Sequence, residues 1–395
     1  MTIYLDHAAT SPLTPEVLDA YVSALTVIGN PASIHSQGQN AKRMLEEARE
    51  RVAASLGADS VEVTLVSGGT EAVNLAIKGL YWARQTPTSR PRVLLAAGEH
   101  HATIDAAEWL GRYEGAIIEE IPIDEFGRID LVALEAALES SSDSIALLSL
   151  LWANNEVGTI QPVNEVVALA ARYGVPVHAD AVSAYGYLPI DFHRSQLAAL
   201  SVSAHKIGGP TGIGALILAR SATVVPLIHG GNQQRGRSGT QDAAGAVAFG
   251  VAASHAIDAL ADGFADRLQI LRDRLIAGVR AAVPSAILRG DPHNRLPGNA
   301  HFTFPGCEGD SLLFLLDVAG FSVSTGSACQ AGVPEASHVL LAMGLNEADA
   351  RGALRMTLGH TTTAQDVDAF VAALPAAVER ATAAGYADRV TSVDL

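Results

Sequence analysis

Short runs of apolar and β-branched residues alternate, up to residue 218, with segments whose apolar residues recur at helical spacing. The runs lie at 61–66, 92–97, 145–151, 175–179, 200–203 and 214–218. Between the first two runs, Val73, Ala76, Ile77 and Leu80 are spaced i, i+3, i+4 and i+7, which indicates one apolar face of a helix. Apolar strands that alternate with helices are typical of a largely parallel sheet with helices on both faces. The pattern predicts an α/β fold.

The pattern changes after Gly250. A long helical stretch covers about 252–282, and shorter strand and helix patterns follow it. The strand patterns lie at 286–289, 300–305, 321–324 and 353–358, and the helical ones at 310–318 and 364–384. Two more helical patterns, 16–25 and 39–56, precede the first strand. We therefore expect a large α/β domain followed by a smaller α+β domain.

Composition and charge narrow the class of protein. The chain has 395 residues, of which 49% are hydrophobic and 17% charged, as in a compact enzyme rather than a disordered chain. The 26 Lys and Arg against 42 Asp and Glu give a net charge of -16, which disfavours direct binding to nucleic acid. The N-terminus lacks a signal pattern, and no uninterrupted apolar stretch of membrane length follows. We expect a cytoplasmic protein without a membrane span.

The chain contains two cysteines, Cys307 and Cys329. This number implies no disulfide framework, and no closely spaced set of Cys and His predicts structural zinc. Cys307 follows Phe-Pro-Gly at 304–306 and is interpreted as a small buried hydrophobe. Cys329 lies in the glycine-flanked, polar segment 325–332, so it is the candidate reactive thiol.

Lys206 is the strongest indication of chemistry. It ends the sequence Ser-Ala-His-Lys at 203–206, directly after the apolar segment 197–202, and Asp180 lies 26 residues before it. A lysine at the end of a buried strand loses hydration and can form a Schiff base with an aldehyde, while a separate carboxylate keeps a pyridine nitrogen protonated. The pair predicts a pyridoxal-phosphate enzyme, and with Cys329 it suggests sulfur chemistry on an amino acid. A solvated surface lysine is the alternative, so the choice depends on the other motifs of the chain.

A glycine-rich turn offers a site for the cofactor phosphate. The segment 67–72, Ser-Gly-Gly-Thr-Glu-Ala, follows a predicted strand and opens a predicted helix. The backbone amides of Gly69 and its neighbours, the Thr70 hydroxyl and the helix N-terminus can together bind a phosphate dianion. The turn lacks the Gly-Lys-Ser/Thr ending of a nucleotide P-loop. A strand-to-helix turn capped by Thr70 is an equally good interpretation of this segment alone.

Two adjacent histidines, His100 and His101, follow the strand pattern at 92–97. A parallel sheet presents its ligand crevice at this point, where an imidazole could stack on a pyridine ring and move protons. The two are equivalent candidates from the residues alone. A metal pair ranks low because no third ligand lies at useful spacing.

Further polar groups follow other predicted strands. The turn 154–158 contains Asn155, whose amide could bind the cofactor's ring oxygen or a substrate carboxylate, and a simple polar turn is the alternative. Arg355 lies in an otherwise apolar strand, where it could clamp a substrate carboxylate or form a structural salt bridge. Arg235 and Arg237 lie in a glycine-rich loop at 229–240 that could close an anion site, in cis or from a partner subunit.

The ordered motifs resemble those of the NifS/IscS cysteine desulfurases, in the class-V aminotransferase family. The resemblance runs from YLDHAAT at 4–10 to LGH at 358–360 and covers nearly the whole chain. It implies a fold-type-I pyridoxal-phosphate homodimer. The large cofactor domain would span residues 15–252. The smaller domain, formed by 1–14 and 253–395, would carry the catalytic cysteine.

The resemblance also implies a role for each candidate residue. Lys206 would hold the cofactor covalently, Asp180 would pair with its ring nitrogen, and His100 would stack on the ring and act as an acid and base. Gly69, Thr70, Ser203 and His205 would bind the phosphate, together with Thr240 of the other protomer. Asn155 and Arg355 would hold the substrate carboxylate, and Asn155 would also approach the ring oxygen. Cys329 would be the nucleophile.

Three segments depart from the family pattern. Ser183 replaces a glutamine that contacts the ring oxygen, and a water could bridge its shorter reach. Ala204 stands where glycine is usual, and the segment 231–237 lacks the usual Gly-Gly-Gly-x-Glu-Arg pattern.

The implied reaction converts L-cysteine to alanine and leaves a persulfide on Cys329. The sulfur would pass to an acceptor or iron–sulfur scaffold protein and supply clusters, thiolated cofactors or tRNA. One alternative is another pyridoxal-phosphate enzyme, such as a selenocysteine lyase or an aminotransferase. A second is a weakly active paralogue that serves as a binding platform for a sulfur acceptor.

Overall fold

The fold is built on one large sheet and two small ones. The computed structural model describes residues 2–326 and 336–383. In these residues the strands are β1 (Ile3–Tyr4), β2 (Val63–Val66), β3 (Arg92–Ala96), β4 (Ile117–Ile121), β5 (Ile145–Leu151), β6 (Val177–Asp180), β7 (Ala199–Ser203), β8 (Gly214–Leu218), β9 (Ile287–Arg289), β10 (Asn299–Thr303), β11 (Phe321–Ser322) and β12 (Ala353–Thr357). The seven-stranded sheet has the order β2-β8-β7-β6-β5-β3-β4. β8 runs antiparallel to both neighbours, and the other pairs are parallel, so the sheet is largely parallel as predicted.

Helices cover both faces of the large sheet. The helices are α1 (Pro15–Leu25), α2 (Ser36–Ser55), α3 (Gly69–Ala83), α4 (His101–Glu114), α5 (Leu131–Ser141), α6 (Val163–Arg172), α7 (Phe192–Ser195), α8 (Ala243–Ala261), α9 (Phe264–Ala282), α10 (Gly309–Val318), α11 (His338–Ala342), α12 (Glu347–Arg351) and α13 (Ala364–Ala383). Successive residues of β8 face opposite sides, as the strand period of two requires. Ala215 and Ile217 pack with α2, α5, α6 and α8, whereas Leu216 and Leu218 pack with α3 and α4. The predicted α/β fold is confirmed.

A second core lies on the three-stranded antiparallel sheet β12-β10-β9. Helices α9, α10 and α13 pack on this sheet around Phe302, Phe370 and Leu354. Leu5 belongs to the same core, because β1 pairs with β11 and brings the N-terminal segment to it. Residue 252 lies inside α8, and the division of the chain at this residue stays a prediction.

The structure differs from the sequence pattern in three places. The strand β4 was missed because it is a half-exposed edge strand that contains Glu119 and Glu120. The expected helix at 252–282 is two helices, because Gly263 adopts a left-handed conformation with φ of 76° between α8 and α9. Strand β6 begins after Pro176 and extends to Asp180, one residue beyond the predicted end.

Helix α8 bears on the expectation about membrane spans. Among the described helices it is the one that is long and apolar enough to cross a membrane by length and composition alone, although Ser254, His255 and Asp258 interrupt its apolar sequence. One side of α8 packs against α1 and α2 through Ala248, Phe249 and Ala252, as a core helix does.

The outer edge of the sheet is capped by a side chain. Strand β2 is an edge strand, and Gln234 pairs with its backbone as an additional strand would. Its Nε2 donates to Leu65 O at 2.7 Å, and its Oε1 accepts from Leu65 N at 3.0 Å and from Arg49 Nη1 at 3.1 Å. The contact ties the glycine-rich loop at 229–240 to the sheet and closes part of an exposed edge.

We expect Gln234→Ala to lower the free energy of unfolding by about 1–3 kcal/mol, because it leaves the buried Leu65 backbone without its partners. Urea denaturation measures the difference. The matched control is Gln39→Ala, which removes an exposed bond from Gln39 to Ile34 O and should change stability by less than about 0.5 kcal/mol. Equal effects of the two substitutions would contradict the edge-capping role.

Candidate active site

A cavity of about 380 Å³ opens at the carboxyl ends of the parallel strands. The residues that follow these strands meet there, because neighbouring parallel strands point their C-termini to the same edge of a sheet. The cavity is lined by Gly69, Thr70, His100, Asn155, Asp180, Ser183, Ser203, His205, Lys206 and Arg355, among others. The structure thus brings together the sequence-predicted site residues with two exceptions, Thr240 and Cys329. Their individual roles stay predictions.

Lys206 follows β7 on a short 3-10 helix, Ala204–Ile207. Its Nζ donates to the backbone oxygens of Ala8 and Ala9, the latter at 3.0 Å, so the N-terminal segment forms one wall of the cavity. Burial and the Arg355 charge together lower the pKa of Lys206 to about 8, against the opposing effects of Asp6 and Asp180. A lysine with this pKa has a substantial neutral fraction near neutral pH, as an amine that attacks an aldehyde requires.

Asp180 ends β6 and is buried, with 4% of its surface exposed. Val182 N donates to its Oδ1 at 2.9 Å, and no ion pair joins it to a Lys or Arg of the described chain. Burial raises the pKa of Asp180 to about 6, against the lowering effects of the Val182 hydrogen bond and the Lys206 charge. A buried carboxylate without a cation is unfavourable, and a protonated pyridine nitrogen is a cation that fits this position.

The predicted phosphate cradle lies where α3 begins. A Cβ on Gly69 would lie 2.7 Å from Val182 Cγ2, so a larger residue would clash there. Without a side chain at Gly69, the backbone amides at the helix N-terminus are open to a ligand. Ser203 Oγ is buried and has no hydrogen-bond partner, which leaves a donor facing the same cavity. Thr70 and His205 complete the lining. These groups fit a phosphate, and with Lys206 and Asp180 they fit pyridoxal phosphate.

The structure separates the two adjacent histidines. His100 lines the cavity and caps α4, and its Nδ1 accepts from Ala102 N at 3.1 Å. The neutral ring therefore carries its proton on Nε2. Burial lowers the pKa of His100 to about 4, and the Lys206 charge contributes to the same shift. His101 instead contacts His338, with ring centroids 4.8 Å apart, and Asp105 at 3.6 Å.

The two asparagines of the turn at 154–158 are separated in the same way. Asn154 forms the turn, since its Oδ1 accepts from the backbone of Glu156 and Val157 and its Nδ2 donates to Gly98 O. Asn155 lines the cavity, and its backbone oxygen accepts from Arg355 Nη1 at 2.9 Å. The polar-turn interpretation thus applies to Asn154, while Asn155 is available to a ligand.

Arg355 combines both roles that the sequence left open. Its Nη2 donates to Asp6 Oδ1 at 2.8 Å, so it forms a structural salt bridge. It also lines the cavity, and its Nε is buried without a partner, which leaves one donor for an anion.

The sequence reasoning missed two carboxyl groups near the site, Asp6 and Glu99. Glu99 is buried, and its Oε1 accepts from Leu151 N at 2.6 Å, one strand away from Asp180. Burial raises the pKa of Glu99 to about 8, against the Leu151 hydrogen bond and with support from Asp180. The signal was available, because Glu99 closely follows an apolar strand as Asp180 ends one.

Two predicted site residues, Thr240 and Cys329, lie apart from the cavity or outside the described residues, and Cys307 was predicted to be a packing residue. Thr240 is exposed just before α8 and does not line the cavity of its own chain, so its predicted contact with a partner's site stays a prediction. Cys329 lies outside the described residues. Cys307 is 1% exposed in the second core, and burial raises the pKa of its thiol, as expected for a packing residue.

A family model for the class-V aminotransferases matches residues 3–370. The chain belongs to the class-V aminotransferase family. It is 51% identical over 387 residues to an IscS-like cysteine desulfurase of Mycobacterium tuberculosis, which covers 97% of this chain and 98% of that protein. The resemblance to the NifS/IscS group is confirmed.

Solved structures agree with the family. A NifS-like protein from Rickettsia africae superposes with a TM-score of 0.86 at 30% identity, over 96% of this chain and 100% of that one. A structure titled SspA in complex with cysteine superposes with a TM-score of 0.77 at 31% identity, over 90% of this chain and 99% of that one. The fold of this class-V family member is thus the fold of NifS-like proteins.

One group of possible metal ligands lies away from the cavity of this class-V family member. In residues 2–326 and 336–383, the group of side chains that could ligate a metal together is Asp59, Glu62 and His193, and none of them lines the cavity. They already satisfy one another, since His193 Nε2 donates to Glu62 Oε2 at 2.8 Å and Arg220 pairs with Asp59 at 2.5 Å. Each of the three side chains therefore already has a polar partner.

Asp180→Asn should stabilise the cofactor-free protein while it weakens cofactor binding. The folded-state pKa of Asp180, about 6, lies above the unfolded value of 3.8, so between these values the folded chain binds a proton that the unfolded chain has lost. The stability of the wild-type protein therefore falls as the pH rises through this range, and the loss is complete above about pH 6. The gain in unfolding free energy should be about 3 kcal/mol at about pH 8 and about half of that at about pH 5. Urea denaturation of both proteins at each pH measures it, and a pH-independent difference would contradict the buried-charge interpretation.

Proposed function

We propose that this protein is a pyridoxal-phosphate-dependent cysteine desulfurase, which converts L-cysteine to L-alanine and leaves a persulfide on Cys329. The single observation that carries the proposal is that the buried carboxyl of Asp180, which forms no ion pair with a Lys or Arg of the described residues, shares one cavity with Lys206 and Arg355. That arrangement offers an amine for an aldehyde, an anion for a pyridinium and a cation for an amino-acid carboxylate. The 51% identity to an IscS-like cysteine desulfurase selects the substrate among pyridoxal-phosphate enzymes.

The cavity residues divide the work of holding cofactor and substrate. Lys206 would hold the cofactor aldehyde covalently, and Asp180 would hold the protonated ring nitrogen. Gly69, Thr70, Ser203 and His205 would bind the phosphate, and Ser183 would lie near the ring oxygen. When bound, pyridoxal phosphate supplies an electron sink for negative charge on the substrate Cα. Asn155 and Arg355 would orient the substrate through its carboxylate.

His100 would move protons. Its pKa of about 4 keeps the ring neutral at working pH, with the proton held on Nε2 by the bond that Nδ1 accepts from Ala102 N. In this tautomer Nε2 presents an N–H donor to the cavity, and the ring would serve as a base by accepting a proton on Nδ1 and as an acid by giving that proton up again.

The sulfur step needs no oxidant. The Cys329 thiol loses its proton and attacks the substrate sulfur, so an S–S bond forms while the substrate Cβ–S bond breaks. The electron pair of the broken bond stays with the substrate, which takes up a proton and leaves as alanine. Cysteine and one thiol thus become alanine and one persulfide.

We also propose the location, the oligomeric state and the sulfur acceptor of the enzyme. The enzyme would act as a cytoplasmic homodimer, in which Thr240 of each protomer reaches the phosphate of the other. The persulfide would pass to a sulfur-acceptor or iron–sulfur scaffold protein, for clusters, thiolated cofactors or tRNA. A protein thiol is the chemical class of acceptor, because thiolates attack a persulfide as they attack a disulfide.

Alanine release from L-cysteine in the presence of a reductant tests the function. We expect turnover by the wild-type protein and by Cys307→Ser, because Cys307 is buried in the second core. Cys329→Ser should lose alanine formation by at least about 100-fold, as expected when a nucleophile is removed. Undiminished turnover by Cys329→Ser would favour a selenocysteine lyase or another pyridoxal-phosphate enzyme, and no turnover by any of the proteins would favour the binding platform.

Lys206→Ala should lose both the visible absorbance of the cofactor-loaded protein and its activity. The chain has only three lysines, Lys42, Lys78 and Lys206, so the site of attachment can be read directly. Borohydride reduction followed by peptide mass spectrometry should place the cofactor mass on the Lys206 peptide. Lys78→Ala is the matched control, since Lys78 lies over the Trp109 ring away from the cavity. A cofactor mass on Lys42 or Lys78 would reject the assignment.

A further inference from the structure

A buried carboxyl, Glu156, lies next to Asn155 and takes no part in the steps above. It is 2% exposed, and Ser337 Oγ donates to its Oε2 at 2.5 Å. The same Ser337 hydroxyl caps α11, because it accepts from Leu340 N at 3.2 Å. Ser337 is itself 1% exposed. One buried hydroxyl therefore links the start of α11 to the turn that presents Asn155.

Gly326 approaches the same carboxyl from the other side. A Cβ built on Gly326 would lie 3.4 Å from Glu156 Oε2 and 3.3 Å from His301 Nε2, and the residue has φ of +90°. Along the chain, Gly326 precedes and Ser337 closely follows the residues 327–335, which include Cys329. Of the described residues on either side of this segment, Ser337 thus bonds to the Glu156 carboxyl and Gly326 lies close to it.

The start of α11 is held by a second contact on the same wall. His338 Nε2 donates to the backbone oxygen of Glu99 at 2.8 Å, and Glu99 directly precedes His100. Val339 packs with Val157, the residue after Glu156, in a small apolar cluster. The start of α11 is therefore fixed against the two turns that present His100 and Asn155.

Gly326 is fixed relative to Arg355. Ser324 and Arg355 exchange backbone hydrogen bonds of 2.6 and 3.1 Å, and Ser324 Oγ accepts from Gly326 N at 3.0 Å. His301 lies directly across from Arg355 in the pair of β10 and β12, and neither ring nitrogen has a partner. Both flanks are thus tied to the residues proposed to bind the substrate carboxylate.

The charges around Glu156 come from three elements. Burial raises the pKa of Glu156, while the Ser337 hydrogen bond and the charges of His338, Arg355 and His101 oppose the shift. An acceptor in such a dry place forms a strong hydrogen bond, and its removal leaves the partner donor unsatisfied.

We propose that Glu156 is a positioning residue for the persulfide-forming reaction, one that holds Ser337 at a fixed place beside Asn155, close to Gly326, which Ser324 ties to Arg355. The inference rests on the proposed function, because its consequence is the placement of Cys329 relative to the substrate sulfur. Placement matters because a small displacement of a reacting group lowers the rate strongly. Glu156 acts through Ser337 and touches neither substrate nor cofactor in this role.

A double-mutant cycle on the holoenzyme tests the proposal. The variants are Glu156→Ala, Ser337→Ala, the double substitution, and Glu156→Gln, whose amide oxygen can still accept the Ser337 hydroxyl. Asn346→Ala is the matched control, because Asn346 caps the neighbouring α12 at an exposed place. The readouts are kcat and KM for alanine formation and the rate at which iodoacetamide labels Cys329, followed by mass spectrometry.

We expect Glu156→Ala and Ser337→Ala each to lower kcat by about tenfold or more, with KM changed by less than about threefold. The double substitution should lose about as much as Ser337→Ala alone, because both single substitutions remove the same bond and Ser337→Ala also removes the cap of α11. Glu156→Gln should keep most of the activity. Both single alanine variants should be labelled at Cys329 several-fold faster than the wild type and Asn346→Ala.

Losses that multiply in the double variant, a loss that falls on KM alone, an equal loss in Asn346→Ala, or unchanged labelling would each overturn the proposal. If Glu156→Ala fails to fold, the comparison of Ser337→Ala with Asn346→Ala tests the proposal by the same changes in kcat, KM and labelling rate. Labelling needs no turnover. It therefore tests the anchoring even if wild-type protein forms no alanine, which would reject the proposed function instead.

Discussion

The burial of Asp180 without a cation is the constraint on which the site depends. A carboxyl at the end of a central strand loses most of its hydration, and the Val182 amide compensates for only part of the loss. The residue is unfavourable for the isolated chain and favourable only with a positive ligand beside it. The rest of the sheet supplies the rigid setting, because β5, β6 and β7 are buried along their whole length and cannot shift to solvate it.

The order of strands then decides what surrounds this carboxyl. Because β3, β5, β6 and β7 are parallel, the groups that follow them converge at one edge, and His100, Asn155, Asp180 and Lys206 line one cavity. The antiparallel strand β8 lies between β7 and β2, and the start of α3 after β2 reaches Ser203 at the same edge. Arg355 comes from the second core, and its bonds to Asp6 and Asn155 join the two cores at the site.

Much of this could be predicted from the sequence, and the remainder depends on long-range packing. The pattern located the strands and the polar residues after them, since both are local properties. It could not choose between His100 and His101, because the choice depends on the capping of α4 and on His338, more than 200 residues away. Nor could it show that Arg355 is both a salt-bridge partner and a cavity residue. The edge-capping Gln234 and the Glu156 to Ser337 bond join distant segments and leave no periodic signal.

The pKa of the buried Glu99 depends in part on the charge of the buried Asp180. Glu99 and Asp180 lie on either side of β5, and the Asp180 charge adds to burial in raising the pKa of Glu99. The pKa of about 8 keeps Glu99 protonated near neutral pH, whereas the pKa of about 6 leaves Asp180 charged. Arg355 is already paired with Asp6. The Lys206 charge lowers the pKa of Asp180 without forming an ion pair with it, so a protonated ring nitrogen could still pair with Asp180, and the neutral Glu99 adds no second negative charge beside it.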